Sequence, residues 1–151
     1  QTVWDVDVEG LKDKGIKTVL VDLDNTLVEW RKYQCTPQIE AWVNRVKQAG
    51  LDVCIVSNSR CCAEVADFAT RLGIRAVTRA GKPRRAGFRK ALSMIACDPC
   101  HTAVIGDQVF TDVLGGNRMG CYTVLVRPLA TREFFGTKLV RVIESMILRW
   151  L

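Results

Sequence analysis

Residues 17–27, KTVLVDLDNTL, combine an apolar run with an acidic pair. From residue 17 to 23 the run is β-branched and apolar on both faces, which is typical of a central strand covered by helices above and below. Asp22 and Asp24 lie at its carboxyl end, where carboxylates at i and i+2 of an extended chain point to one side. Such close like charges require a compensating cation or shared proton, so the pair predicts a functional site. The plainer alternative is that both acids only cap the next turn.

The rest of the chain alternates helical and extended patterns. Thr36 and Pro37 form a helix start, with an N-cap followed by proline at the first helical position, and Gly50 ends that helix. Strands are predicted at 51–56, 74–77, 102–105 and 122–126. Helices are predicted at 61–72, 86–95, 109–119 and from about 132 to 150.

This alternation predicts the α/β class, with a doubly wound parallel sheet and right-handed crossovers. All 151 residues are assigned to one domain, in which residues 1–16 form a lead-in segment and 132–151 a C-terminal helix. Ligands of such sheets bind beyond the carboxyl ends of the strands. The polar residues that follow each strand are therefore the candidates for a site.

Three further segments meet this criterion. Ser57 and Asn58 follow the second strand, where a hydroxyl and backbone N–H groups suit a phosphoryl oxygen. Lys82 follows the third strand and offers a cation for the charge on a transferring phosphate. Asp107 and Asp112 follow the fourth and add carboxylates to the same edge. Because carboxylates and water are the ligands that Mg²⁺ prefers, the four segments together predict a magnesium site.

In this order the segments resemble the four motifs of the haloacid dehalogenase (HAD) superfamily, matched by residues 22–26, Ser57, Lys82, and Asp107 with Asp112. The resemblance implies a Rossmann-like core and a phosphatase that forms an aspartyl-phosphate. It also implies the role of each residue. Asp22 is the nucleophile and Asp24 the general acid and base; Ser57, Asn58 and Lys82 bind the phosphoryl group; Asp22, the Asp24 carbonyl and Asp107 hold Mg²⁺; Thr26 and Asp112 support them, Asp112 by orienting Lys82 or a metal-bound water.

The connections at 26–36 and 59–82 are too short for a cap domain, which favours an open site and a bulky phosphomonoester. Residues 4–11, 81–83 and 106–118 narrow the resemblance to subfamily IIIA, the YqeG type related to mitochondrial phosphatidylglycerophosphate phosphatase. This implies dephosphorylation of phosphatidylglycerophosphate to phosphatidylglycerol in phospholipid biosynthesis. A protein, a nucleic-acid end or a small phosphometabolite remain alternative substrates, and a non-catalytic regulatory protein remains an alternative function.

The net charge of +6 and a pI near 9.1 favour anionic partners. An anionic phospholipid surface is one candidate, contacted by basic residues that are otherwise ordinary solvated side chains: Arg84, Arg85, Arg89, Lys90, Arg127 and Arg132. Nucleic acid is not favoured, since no interleaved aromatic and basic platform is visible. The apolar stripe of the C-terminal helix favours core packing over a membrane anchor. No run is long enough to cross a bilayer, so we expect a soluble, cytoplasmic protein, with peripheral contact at the inner face of the membrane as an option.

The seven cysteines form an odd set without the spacing of a disulfide framework, which predicts reduced thiols. The run Cys97-Asp98-Pro99-Cys100-His101 matches the pattern for covalent haem attachment. Its position in a short helix-to-strand connection argues against haem, and a single histidine makes zinc a weak alternative.

Overall fold

A computed structural model describes residues 1–130. Five strands alternate with five α-helices in this part of the chain. The strands are β1 (Thr18–Val21), β2 (Asp52–Val56), β3 (Arg75–Val77), β4 (Thr102–Gly106) and β5 (Tyr122–Leu125), and the helices are α1 (Val8–Asp13), α2 (Pro37–Gln48), α3 (Cys62–Arg71), α4 (Arg85–Ile95) and α5 (Leu114–Met119). Short 3₁₀ turns occupy Val3–Asp5 and Pro99–His101.

The strands form one parallel sheet in the order β3-β2-β1-β4-β5. The α/β class with a parallel, Rossmann-like sheet is thereby confirmed. The chain winds outward from β1 to β3 and then returns to β4 on the other side of β1. The topological switch point therefore lies between β1 and β4, and a ligand crevice is expected at their carboxyl ends.

The register brings the ends of the central strands level. Val21 at the end of β1 is paired with Ile55 of β2 and Ile105 of β4. The ladder continues one residue further, because the Asp22 N–H donates to the Ile105 carbonyl at 2.9 Å. Asp22 is therefore the first residue after β1, and its backbone N–H is still bonded to β4.

Side chains of the central strands alternate between two cores. Val19 and Val21 of β1 pack on one face of the sheet with α1, α2 and α3, whereas Leu20 packs on the other face against Phe88 of α4. All four residues of β1 are buried. The double-sided apolar pattern is thus explained by helices on both faces, as predicted.

The start of α2 follows its sequence signals closely. The Thr36 side chain accepts a hydrogen bond from the Ile39 N–H at 3.3 Å, and Pro37 takes the first position. Gly50 ends the segment in the left-handed conformation, at φ 85°.

Two segments have more structure than the sequence pattern indicates. Residues 1–16, the lead-in segment, contain α1 and bury Val3, Val6 and Leu11 in the core. The predicted helix at 109–119 is divided into a π-helical turn, Val109–Val113, and the short α5. The turn is wide because the Val113 N–H reaches back five residues to the Gln108 carbonyl.

The predicted C-terminal helix, with Arg132, lies outside the described residues. Within residues 1–130, every helix is too short or too polar to traverse the hydrocarbon core of a bilayer. The segment between β1 and α2 consists of turns and one isolated bridge between Asp24 and Val28. Over the described part of the chain, no additional domain is inserted at that position.

Candidate active site

A buried lysine lies at the centre of the crevice between β1 and β4. The Lys82 Nζ atom is 2.6 Å from an oxygen of Asp22 and 2.6 Å from an oxygen of Asp112. All three side chains are nearly inaccessible to solvent. Ion pairs of this kind are held by charge-assisted hydrogen bonds, and either partner is costly to leave alone.

Asp107 completes a cluster of carboxylates. Asp22, Asp107 and Asp112 each direct an oxygen into a space in which these atoms lie within 4.8 Å of one another. The Thr26 hydroxyl lies between two of them, 3.2 Å from Asp22 and 3.3 Å from Asp107. A hydroxyl has one proton to donate, so it can bridge these carboxylates but cannot neutralise them.

The cluster carries more negative charge than its lysine can balance. Burial, followed by the charges of Asp22 and Asp112, raises the pKa of Asp107 to about 7. Burial likewise raises the pKa of Asp112 to about 6, although Lys82 opposes the increase. Burial lowers the pKa of Lys82, but its contacts with the two carboxylates outweigh this and leave that pKa above its ordinary value.

This donor set fits a magnesium ion. Three carboxylates face one ammonium group, which leaves two negative charges when all of them are ionised. A hard dication such as Mg²⁺ prefers oxygen ligands, and it can replace the protons that would otherwise neutralise two excess negative charges on carboxylates. In the structure Asp112 lies with Asp22 and Asp107 among the carboxylates that could bind the ion. The sequence predicts instead that Asp112 only supports the metal ligands.

Asp24 lies apart from the carboxylate cluster. Its carboxylate accepts hydrogen bonds from the Arg31 N–H at 2.9 Å and from the Tyr33 hydroxyl at 3.4 Å. The chain leaves the extended conformation after β1, and Asn25 has a positive φ of 63°. Within residues 1–130 Asp24 therefore contacts its own loop and is not a member of the carboxylate cluster. The alignment of its side chain with Asp22 stays a prediction.

Burial raises the pKa of Asp24 above its ordinary value. The Arg31 N–H opposes this, and the charge of Asp22 adds to the increase. The direction agrees with the requirement for a general acid, but burial contributes more than the neighbouring carboxylate that the sequence suggested.

Tyr33 is a site residue that the sequence analysis missed. Its hydroxyl contacts Asp24 and also lies 2.9 Å from the Ser59 hydroxyl, which connects the loop after β1 to the loop after β2. Burial raises the pKa of Tyr33 to about 12, so the phenol keeps its proton and remains a donor. A single tyrosine in a polar loop carries no periodicity or spacing signal, so only the folded loops reveal the contact.

The loop after β2 positions Lys82. The Asn58 side chain accepts a hydrogen bond from the Lys82 N–H at 2.8 Å and donates one to the Lys82 carbonyl at 3.2 Å. The oxygen and the nitrogen of this amide therefore both contact the backbone of Lys82. Phosphate binding by Asn58 stays a prediction. Ser57 is buried, and its hydroxyl accepts a bond from the Ser59 N–H at 3.0 Å.

Asp112 reaches the cluster because Gly106 has no side chain. A Cβ atom at Gly106 would overlap the Asp112 carboxyl group. The same carboxylate accepts a hydrogen bond from the Gln108 N–H at 3.2 Å, at the start of the π-helical turn. The wide turn and the glycine together allow an acid on a helix to lie beside the end of β4.

The cysteine run Cys97–His101 lies at the other end of β4, where Pro99–His101 forms the 3₁₀ turn that leads into the strand. All seven cysteines are free thiols. The prediction that this run occupies a helix-to-strand connection is confirmed.

Comparisons with known proteins show the family. Residues 2–80 match the family model described as mitochondrial PGP phosphatase, and residues 79–133 match a model described as HAD-hydrolase-like. The chain is 39% identical over 148 residues to "Probable phosphatase YqeG" of Bacillus subtilis (strain 168), covering 98% of the chain and 86% of that protein.

A plant protein is also similar. "Phosphatidylglycerophosphate phosphatase 1, chloroplastic/mitochondrial" of Arabidopsis thaliana is 32% identical over 156 residues, covering 97% of the chain but 45% of that protein. Among solved structures, a HAD phosphatase from Thermococcus onnurineus has a TM-score of 0.55 at 18% identity, over 67% of this chain and 50% of that one. That structural likeness shows the fold.

The raised pKa values predict how pH affects the metal-free protein. In the folded chain the pKa of Asp107 is about 7 and that of Asp112 about 6. Both carboxylates therefore bind protons more tightly in the folded chain than in the unfolded chain. Their contribution to the free energy of unfolding is therefore full below about pH 4 and is lost as pH rises through about 6 to 7. Urea unfolding in EDTA should show that Asp107→Asn gains stability relative to the unsubstituted protein as pH rises across this window. A constant difference between the two proteins would contradict the assigned charge excess.

Substitution of the buried lysine tests the ion pairs. Lys82→Met should lower the free energy of unfolding by roughly 3–5 kcal/mol near neutral pH, because it leaves Asp22 and Asp112 without a cation. Adding Asp112→Asn should recover part of that loss. Lys90→Met, at an exposed position on α4, is the matched control and should change stability by less than about 0.5 kcal/mol in urea titrations. Equal losses for both lysines would refute the central role of Lys82.

Proposed function

Because the chain belongs to the HAD phosphatases of the YqeG and phosphatidylglycerophosphate phosphatase type, we propose that it hydrolyses a phosphomonoester through an aspartyl-phosphate on Asp22 with Mg²⁺ as cofactor. One observation carries the proposal. Asp22 lies at the switch point of the sheet, held by the buried Lys82 and within 4.8 Å of two other carboxylates. This is an anionic nucleophile in a site that requires further positive charge.

Asp22 attacks the phosphorus atom in the first step. A carboxylate oxygen forms the new O–P bond while the bond from phosphorus to the ester oxygen breaks. Lys82 holds Asp22 in place and lies where it can stabilise charge on the phosphoryl oxygens. Ser57 follows β2 at the same edge of the sheet and offers its hydroxyl to the phosphoryl group.

Asp24 transfers the protons. In its protonated form it gives a proton to the departing ester oxygen, and as a carboxylate it then takes a proton from the water that attacks the aspartyl-phosphate. The second attack breaks the bond to Asp22 and releases inorganic phosphate. The Arg31 N–H and the Tyr33 hydroxyl orient the Asp24 carboxylate during both steps.

The carboxylates of Asp22 and Asp107, with the Asp24 carbonyl, would hold the magnesium ion, and Asp112 contributes charge beside them. When bound, the ion supplies positive charge that offsets the carboxylates and the transferring phosphoryl group. Thr26 keeps Asp22 and Asp107 at a fixed separation by bridging their oxygens.

Phosphatidylglycerophosphate is the substrate that we propose. Relatives from a plant and an alga carry its name as phosphatases, although the chain spans only about half the length of each. Exposed basic side chains occur just before α4 and in its first half: Arg84, Arg85, Arg89 and Lys90. Near an anionic membrane each such charge contributes about 1 kcal/mol, which favours peripheral contact on the side of the sheet where the site opens.

A substrate panel tests the proposed reaction. Purified protein with Mg²⁺ should release phosphate from phosphatidylglycerophosphate vesicles in preference to 5′-phosphorylated oligonucleotides and sugar phosphates. Asp22→Asn should reduce kcat by at least about 10³-fold, because the amide is not a nucleophile. Asp13→Asn, at an exposed position on α1, serves as the control. Turnover that survives both Asp22→Asn and removal of Mg²⁺ would refute the mechanism, and preference for another member of the panel would refute the lipid substrate.

Removal of the Tyr33 hydroxyl tests how Asp24 is positioned. Tyr33→Phe should lower kcat/KM roughly ten-fold for glycerol 3-phosphate, whose alkoxide leaving group needs a proton, because one hydrogen bond to the acid is lost. For p-nitrophenyl phosphate, whose leaving group needs no proton, the decrease should stay within about three-fold. Tyr122→Phe, on the exposed strand β5, is the matched control. An equal decrease for both substrates would contradict the assigned role of Tyr33.

A further inference from the structure

A basic cleft adjoins the candidate active site. It has a volume of about 440 Å³ and is lined by Asn58, Arg60, Arg79 and Gly81. None of the catalytic roles assigned above uses either arginine. The cleft is large enough for a phosphate group together with a few carbon atoms.

The walls of the cleft are attached to the site residues. Asn58 holds the backbone of Lys82 through two hydrogen bonds, and Gly81 is the residue before Lys82. On the other side, the Arg79 N–H donates to the Ser59 carbonyl at 3.1 Å, and the Ser59 hydroxyl contacts Tyr33. A molecule in this cleft would therefore lie directly beside the phosphoryl group that Lys82 and Ser57 receive.

The two arginine side chains are available for a ligand. Both are exposed, and among residues 1–130 neither forms an ion pair or side-chain hydrogen bond. Arg79 has φ 48°, a left-handed conformation that favours glycine and costs a residue with a side chain about 1 kcal/mol.

We propose that Arg60 and Arg79 bind a second anionic group of the substrate, a phosphodiester separated by a short polyol from the phosphomonoester that is hydrolysed. The guanidinium group matches phosphate oxygens in a bidentate manner. Phosphatidylglycerophosphate has this chemistry, since glycerol joins its terminal phosphate to a diester. The inference rests on the proposed function and adds the group that distinguishes this substrate from simple phosphomonoesters.

Two soluble substrates isolate this contact from the membrane. Glycerol 3-phosphate has one phosphate, whereas the deacylated headgroup of phosphatidylglycerophosphate has the monoester and the diester. The unsubstituted protein should prefer the headgroup by roughly ten-fold or more in kcat/KM. Arg60→Gln and Arg79→Gln should each raise KM for the headgroup by about three- to ten-fold and leave glycerol 3-phosphate unchanged.

Matched variants separate charge from structure. Arg118→Gln removes an exposed arginine from the last turn of α5, outside the cleft, and should leave both substrates unchanged. Arg60→Lys and Arg79→Lys keep the charge and should recover part of the preference. Equal effects of the cleft variants on both substrates, or no effect on either, would overturn the proposal.

A binding measurement separates this proposal from the catalytic one. In the Asp22→Asn background, calorimetry with the deacylated headgroup should show binding that Arg79→Gln weakens by roughly three- to ten-fold. If the unsubstituted protein hydrolyses both soluble substrates without preference, the cleft proposal fails while the proposed reaction stands. If neither substrate is hydrolysed and Arg79→Gln still weakens binding, the reaction fails while the cleft proposal stands. Vesicles of the acylated lipid, compared with the free headgroup, show which source of the ligand is preferred.

Discussion

The electrostatic balance between one buried ammonium group and three carboxylates governs this structure. Lys82 lies 2.6 Å from both Asp22 and Asp112, and Asp107 shares the same space without a cation of its own among the contacts described for residues 1–130. Burying such a cluster costs free energy because each ionised carboxylate loses its hydration. The pKa of Asp107, raised to about 7, expresses that cost. Unbalanced negative charge among oxygen ligands fits a dication.

The surrounding chain maintains this cluster with unusual local features. Gly106 removes the side chain that would occupy the position of the Asp112 carboxyl group, and the π-helical turn presents Asp112 toward the end of β4. Asn58 holds the backbone on both sides of Lys82, so the lysine is positioned by a neighbouring loop as well as by its charge partners. Functional sites commonly contain such departures from regular structure, because the geometry of the reacting groups takes priority over local preference.

The side of the sheet where the site opens has a different character. Here the exposed groups are cationic, with Arg60 and Arg79 in the adjoining cleft and further basic residues at the start of α4. Negative charge thus lies at the bottom of the site and positive charge around it. Under the proposed function, this arrangement would bring the scissile phosphate to Lys82 and a second anionic group to the arginines.

The sequence by itself determined the fold class and the edge of the sheet at which the candidate site lies. The double-sided apolar strand before Asp22, the cap at Thr36 and the polar residues after each strand are local signals, and parallel strands place their carboxyl ends together. It did not reveal the helix in residues 1–16, because one short helix containing Gly10 has too little periodicity. Only the tertiary structure assigned Asn58 to the backbone of Lys82, separated Asp24 from the carboxylate cluster and brought Tyr33 and the two cleft arginines to the site. These contacts join loops that are distant in sequence, and their geometry depends on strand order and backbone turns that no local pattern encodes.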